Sequence, residues 1–237
     1  MLKKKILLGV GITAANTSTI LEHVLEMVYR GEKKLFIVTP NPEILVYAQR
    51  HLDYKDKLNS ADIALADGSG ILAASLLLGL GIPQRTTGVD FIEELCKVSR
   101  EKPLSMGFLG GRSGVALRTA ECLKQKYPWI NVVFTGEEWL DKDVKTQKTI
   151  DILFVAYGFP KQEQWIYEHL QELPVTAAIG VGGAFDYISG AVPRAPRPMR
   201  SLGLEWFFRL MLQPKRIKRQ LALPLFVFLI LKERFIK

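Results

Sequence analysis

Residues 181–219 read VGGAFDYISGAVPRAPRPMRSLGLEWFFRLMLQPKRIKR, and three kinds of chain meet in them. Gly182 and Gly183 open the stretch, and bare backbone there can approach a ligand closely. Pro193, Pro196 and Pro198 follow, with Arg194, Arg197 and Arg200 between them, a proline density that rules out a regular helix or central strand. Leu202, Trp206, Arg209, Leu210 and Gln213 then fall at helical spacing before the basic run Lys215-Arg-Ile-Lys-Arg219. A glycine turn, a stiff arginine strap and a basic apolar helix in tandem imply a pocket with a lid that is both cationic and greasy.

Upstream of the glycine pair, short apolar runs alternate with helical patterns. Strands are expected at Lys5–Val10, Leu35–Val38, Ile63–Ala66, Leu104–Leu109, Asn131–Phe134, Ile152–Ala156 and Val175–Val181. Helices are expected at Thr19–Tyr29, from Pro42 to about His51, and at Ile71–Leu78, Phe91–Arg100 and Val115–Lys126, with a further one starting in Gly158–Glu163. Asn41 suits an N-cap, with Pro42 at the first helical position and Glu43 in the first turn. The alternation predicts an α/β, Rossmann-like fold: a mainly parallel sheet with helices on both faces. Ligands of such sheets bind at the carboxyl ends of the strands. Thr39, Asn41, Asp67, Gly110, Gln162 and Gly182 all fall there, from separate parts of the chain.

The 237 residues are 48% hydrophobic and 24% charged, a globular composition, and carry net charge +8. From Arg194 onward there are 11 Lys+Arg against 2 Asp+Glu, net +9, so the preceding part, 21 basic against 22 acidic, carries net −1. The expected division is residues 1–193, a catalytic domain, and residues 194–237, a C-terminal appendage. Such a tail calls for an anionic partner. Leu221–Leu231 has 11 residues, too short for the ~20 that cross a bilayer, and contains Pro224. Core packing explains its leucines but not the neighbouring arginines; nucleic-acid binding explains the arginines but not Trp206, Phe207, Phe208, Phe226 and Phe228. A segment lying in a membrane interface explains both. Met1–Val10 resembles a leader in its basic start, but Gly9 and Gly11 interrupt the apolar run, so a buried first strand is expected. Cys96 and Cys122 sit in apolar helical patterns as free thiols of a reducing compartment, and His23, His51 and His169 form no zinc spacing.

Several motifs have two readings. Gly9-Val-Gly-Ile-Thr-Ala14 matches the dinucleotide pattern, but Thr39 stands where an acidic ribose ligand belongs. Asp67 at a strand end is a candidate general base, or an Asp that satisfies a turn. Asp141-Lys-Asp143 has the form of a metal-binding DxD, but its polar setting favours a solvated turn. Arg85 either faces a diphosphate or is an exposed loop residue. Gly110-Gly-Arg-Ser-Gly114 and Gly158–Glu163 can each present helix-start N–H groups to a phosphate, or simply start a helix.

In order, TPNPE at Thr39, DGSG at Asp67, RTTGVD at Arg85, GFPKQE at Gly158, GVGGAFDYISG at Gly180 and RAP…GLEWFFRL at Arg194 resemble the WecG/TagA/CpsF glycosyltransferases over nearly the whole chain. The resemblance implies inverting β-1,4 transfer of an N-acetylmannosamine-type sugar from a UDP donor to N-acetylglucosamine on undecaprenyl diphosphate. It implies surface-polymer synthesis of the wall teichoic acid type, no metal or other cofactor, and no nucleic-acid partner. The setting implied is the cytoplasmic face of the plasma membrane, met peripherally through the appendage. Asp67 matches the base of the family, and Thr39, Asn41, Arg85 and Gln162 match pocket positions. Arg209, Arg216 and Arg219 match tail arginines that touch diphosphate. Gly158, Lys161, Gly182, Gly183 and Asp186, within the matching blocks, and Gly110 and Gly111, in the glycine loop before a helix, are expected to bind substrate. Thr86 departs from the Val common at its position, with the spacing intact. The competing expectations are a soluble nucleotide-cofactor oxidoreductase, resting on Gly9–Ala14, and a non-enzymatic membrane or nucleic-acid adaptor.

Overall fold

Strand residues such as Ile152, Leu153, Phe154 and Val155 are apolar without alternation, so both faces of the strand they form must be covered. The computed structural model, which describes residues 2–139 and 149–236, does this with a six-stranded parallel sheet. Its strands are β3 (Leu35–Val38), β4 (Ile63–Ala64), β5 (Ser105–Gly110), β6 (Asn131–Gly136), β7 (Ile150–Ala156) and β8 (Val175–Gly180), in the order β4-β3-β8-β7-β5-β6. Ile152 and Phe154 enter one core, with Phe91, Phe108 and Phe185; Leu153 and Val155 enter the other, with Leu45, Tyr54 and Ile166.

The first core is closed by α1 (Thr17–Arg30), α5 (Gly88–Val98) and α6 (Val115–Lys126). The second is closed by α2 (Pro42–Ala48), α3 (Leu52–Ser60), α4 (Ser69–Leu78) and α7 (Lys161–His169). Asn41 caps α2 as its sequence implies: its side chain accepts from the Ile44 N–H at 3.0 Å, with Pro42 in the first turn. Asn16 does the same for α1 through Thr19, so that helix begins two residues before the expected start.

The expected first strand, Lys5–Val10, is corrected. The chain forms an antiparallel hairpin, β1 (Lys4–Leu7) and β2 (Val10–Thr13), separate from the main sheet. Leu8 and Gly9 have φ of 50° and 74°, which turns the chain back at once. Asn59 fixes the hairpin, accepting from Gly11 N–H at 2.9 Å and donating to Gly9 O at 3.0 Å. Of the GxG glycines, Gly9 therefore makes a hairpin turn and Gly11 lies in β2, and neither forms the strand-to-helix phosphate loop of a dinucleotide fold.

After β8 come α8 (Ala184–Ile188), α9 (Arg197–Ser201), α10 (Glu205–Leu212), a 3-10 turn at Pro214–Arg216, α11 (Ile217–Gln220) and α12 (Ala222–Ile236). The five-residue α9 corrects the expectation that the strap's prolines exclude a helix: Pro196 is its N-cap and Pro198 lies in its first turn, where no helical N–H bond is lost. The tail is knitted to the body. Phe226 and Ile230 of α12 are 4% and 3% exposed and lie in the second core, against α2 and α4. Pro224 is tolerated because it lies in the first turn of α12, where its missing N–H costs no helical bond. Arg194 binds Asp90 of α5 at 2.7 Å and Glu205 at 3.2 Å, which staples the strap to the body. No helix among the described residues is long and apolar enough to cross a membrane.

Candidate active site

At the carboxyl edge of the sheet lies a cavity of about 840 Å³, lined by Thr39, Asp67, Gly111, Gln162, Gly182 and Arg209 among others. Each side chain is held by its own local structure. Thr39, just past β3, donates from Oγ1 to the Gly180 carbonyl at 2.8 Å, across the β3–β8 seam. The Gln162 Oε1 accepts from the Gly182 N–H at 2.9 Å, and its Nε2 donates to Glu163 at 2.7 Å. Glu163 is fully buried and also accepts from the Tyr54 hydroxyl at 3.0 Å. Burial raises the Glu163 pKa, opposed by the bonds from Gln162 and Tyr54.

Gly182 has φ of +55°, and at Gly183 a Cβ would lie 2.5 Å from the Arg209 guanidinium. The glycine pair thus serves a left-handed turn and the close seating of a tail arginine. Arg209 donates to Asp186 at 2.9 Å and lies 4.7 Å above the Tyr187 ring. Arg219 pairs with Glu43, at 2.9 Å from Nη2, and lies 5.0 Å over Phe159. Between them stands Arg216. Burial, then repulsion from Arg209 and Arg219, lowers its pKa to about 10, and its Nε has no hydrogen-bond partner among the described residues. Three guanidiniums so placed favour an anion between them.

Asp67 follows β4 on a short loop, ahead of Gly68, whose φ of 91° turns the chain into α4. Burial, reinforced by Glu205, raises the Asp67 pKa to about 7, against the pull of Arg85 and Arg194. A carboxyl with that pKa is matched to taking up a proton near neutral pH. Asp67, Arg209 and Arg216 also line a second cavity of about 570 Å³, which runs between α4 and α12 and is walled mainly by apolar side chains.

The structure gathers most of the expected site residues in one place. Asn41, Gly111, Gly158, Lys161 and Asp186 line the polar cavity with Thr39, Asp67, Gln162, Gly182, Gly183 and the three tail arginines. Arg85 lines the second cavity instead. Gly110 lines neither; a Cβ on it would come within 2.8 Å of Tyr157, so it clears space beneath the end of β7. Asp141 and Asp143 lie outside the described residues. Sequence alone did not mark Glu163, Tyr54, Glu43 or Glu205 as neighbours of the site, nor the aromatic wall of Trp139, Tyr157 and Trp165. Pairs such as Tyr54–Glu163 and Glu43–Arg219 join positions far apart in the chain, which no local spacing betrays.

A parallel sheet whose carboxyl edge opens on a cleft with a near-neutral carboxylate and converging arginines defines an α/β enzyme built to act on anionic substrates. The chain belongs to the WecG/TagA/CpsF family of glycosyl transferases, whose model matches residues 5–237. It is 35% identical over 211 residues to the N-acetylglucosaminyldiphosphoundecaprenol N-acetyl-beta-D-mannosaminyltransferase of Staphylococcus aureus strain NCTC 8325 / PS 47, covering 86% of this chain and 83% of that one. The protein of the same description from strain MRSA252 is 34% identical over the same coverage. The chain is thus a glycosyltransferase, and the oxidoreductase expectation is set aside.

Proposed function

We propose that the protein transfers N-acetylmannosamine, or a close relative, from its UDP donor to the 4-hydroxyl of N-acetylglucosamine on undecaprenyl diphosphate, in synthesis of a surface polymer of the wall teichoic acid type. The observation that carries this reading is the meeting of Asp67 with Arg209 and Arg216 where the two cavities join. The UDP-sugar occupies the polar cavity, and the acceptor reaches Asp67 from the second. The acceptor oxygen attacks the anomeric carbon and its proton passes to Asp67. The bond to UDP breaks on the opposite face, which inverts the centre. Positioned guanidiniums and the backbone N–H groups beside Gly182 stabilise charge on the diphosphate. Thr39, Asn41 and Gln162 shape the donor side, and Arg85 faces the acceptor side.

The tail supports peripheral attachment to the cytoplasmic face of the plasma membrane. Phe228 and Phe235 are 61% and 82% exposed beside basic side chains, a combination that gains from apolar insertion and from anionic lipid. The test is incubation with UDP-N-acetylmannosamine and a short-chain prenyl-diphosphate-N-acetylglucosamine, with the product's linkage read by NMR. A β-1,4-linked disaccharide lipid is expected; no disaccharide, or an α linkage, overturns the proposal.

A further inference from the structure

The second cavity has both charged and apolar walls. Asp67, Arg209 and Arg216 are part of its wall, and so are the apolar Ala73 and Leu77 of α4 and Phe226, Val227 and Leu231 of α12. Helix α4, SGILAASLLL, carries no charged residue yet reaches the surface: Leu77, which lines the groove, is 42% exposed, and Leu76 beside it 87%. A soluble helix ordinarily turns polar residues outward, and a contiguous exposed apolar strip marks a binding surface. Val227 and Leu231 of α12 carry the strip on across the groove.

We propose that this groove holds the first isoprene units of the acceptor's lipid, an inference that rests on the transfer reaction above. A prenyl-diphosphate sugar has three parts: a hydroxyl-bearing sugar, two phosphates and a hydrocarbon chain. The groove offers a complement to each in one cavity: a carboxylate, two arginines and an apolar wall. The hydrocarbon leaves the reaction centre between α4 and α12 and passes to the membrane along the exposed leucines. Substrate recognition thus extends beyond the diphosphate, and the enzyme distinguishes a lipid-linked acceptor from a free sugar diphosphate by burying hydrocarbon.

The test uses full-length protein in detergent-free solution with two acceptors below their aggregation limit. Both carry diphosphate-N-acetylglucosamine; one ends in a methyl group and the other in a three-isoprene chain. The wild type is expected to prefer the prenylated acceptor in kcat/KM by about tenfold or more, since each buried methylene contributes about 0.8 kcal/mol. Ala73→Trp and Val227→Trp, made separately from opposite walls at surface positions, fill the groove and should bring that ratio to about one. Thermal unfolding confirms that each variant is folded. A preference retained in both folded variants overturns the inference, as does a wild-type ratio near one. Loss of liposome binding with the ratio unchanged also overturns it, and shows that the strip meets bilayer lipid instead. If wild-type protein glycosylates neither acceptor, the transfer reaction itself falls, an outcome distinct from all of these.

Discussion

The Gln162 side-chain carbonyl accepts the Gly182 N–H at 2.9 Å, and Gln162 can do so in only one orientation because Glu163 takes its amide. Glu163 is acceptor to two donors, the Gln162 amide and the Tyr54 hydroxyl. Glu163→Gln gives one of them another N–H to face. An unpaired buried donor costs about 1–3 kcal/mol, or Gln162 flips and releases the glycine turn. A lower unfolding midpoint and a raised donor KM are expected, with Tyr54→Phe milder in both. A donor KM unchanged in Glu163→Gln would show that the turn does not depend on this clamp.

The role proposed for Asp67 predicts an activity that depends on pH. With its pKa near 7, kcat/KM should climb as pH rises through about 7 and fall away below it. Asp67→Asn should lower turnover by on the order of 10²–10⁴ and abolish that limb of the profile. Its stability should move the other way. The folded-state pKa lies above the ordinary aspartate value of 3.8, so ionised Asp67 opposes folding above about pH 7, and that cost disappears below about pH 4. The Asn variant should therefore melt higher than wild type at pH 8 and at the same temperature at pH 3.5; equal melting at both would deny the carboxyl its strained setting.

Arg216 is held against its own electrostatics, by burial and by two like charges. Its folded-state pKa is depressed, so its charge opposes folding throughout the neutral range and removal should not destabilise the protein. Arg216→Gln is expected to melt no lower than wild type while losing about 10²-fold in turnover, the scale of one stabilising donor in a transition state. Inorganic pyrophosphate should raise the melting temperature of wild type more than that of the variant. An equal rise would place the diphosphate elsewhere.

With guanidiniums supplying positive charge, catalysis should persist in EDTA. Activity that is lost in chelator and restored by Mg²⁺ or Mn²⁺ would bring Asp141 and Asp143 back into consideration.

The tail has a buried side and an exposed side. Phe226→Ala should cost about 3–5 kcal/mol, because Phe226 is buried in the second core. Phe228→Ser and Phe235→Ser, at exposed positions, should leave stability within about 0.5 kcal/mol and weaken liposome binding. Removal of residues 194–237 uncovers the surfaces of α2 and α4 that α12 covers, so the truncated chain should bind no liposomes and melt below the full chain.

What the sequence discloses here is local. The cap Asn41-Pro42-Glu43, the parallel sheet and the carboxyl-edge placement of Thr39, Asp67 and Gly182 follow from spacing and turn chemistry. Gly9 looked like part of a phosphate loop because Leu8 conceals the turn: leucine seldom takes φ of 50°, and nothing in a Leu-Leu-Gly run signals it. The buried face of α12 was hidden for a different reason. Phe226 and Phe228 look alike in a row of apolar residues, and only the distant surfaces of α2 and α4 decide which is covered. Clamps such as Tyr54–Glu163 and Arg194–Asp90, 109 and 104 residues apart in the chain, leave no trace in local pattern.

Strand order has a consequence for how the molecule is made. In the sheet β3 pairs with β4 and β8, and β8 is the last strand synthesised. Until residues 175–180 leave the ribosome, no strand joins the β3–β4 pair to β7, and Thr39 has no Gly180 carbonyl to bind. Closure of such long loops comes late and slowly. The cleft is therefore the last part of the body to exist, and its arginines come later still, so the proposed centre cannot assemble in a nascent or prematurely ended chain.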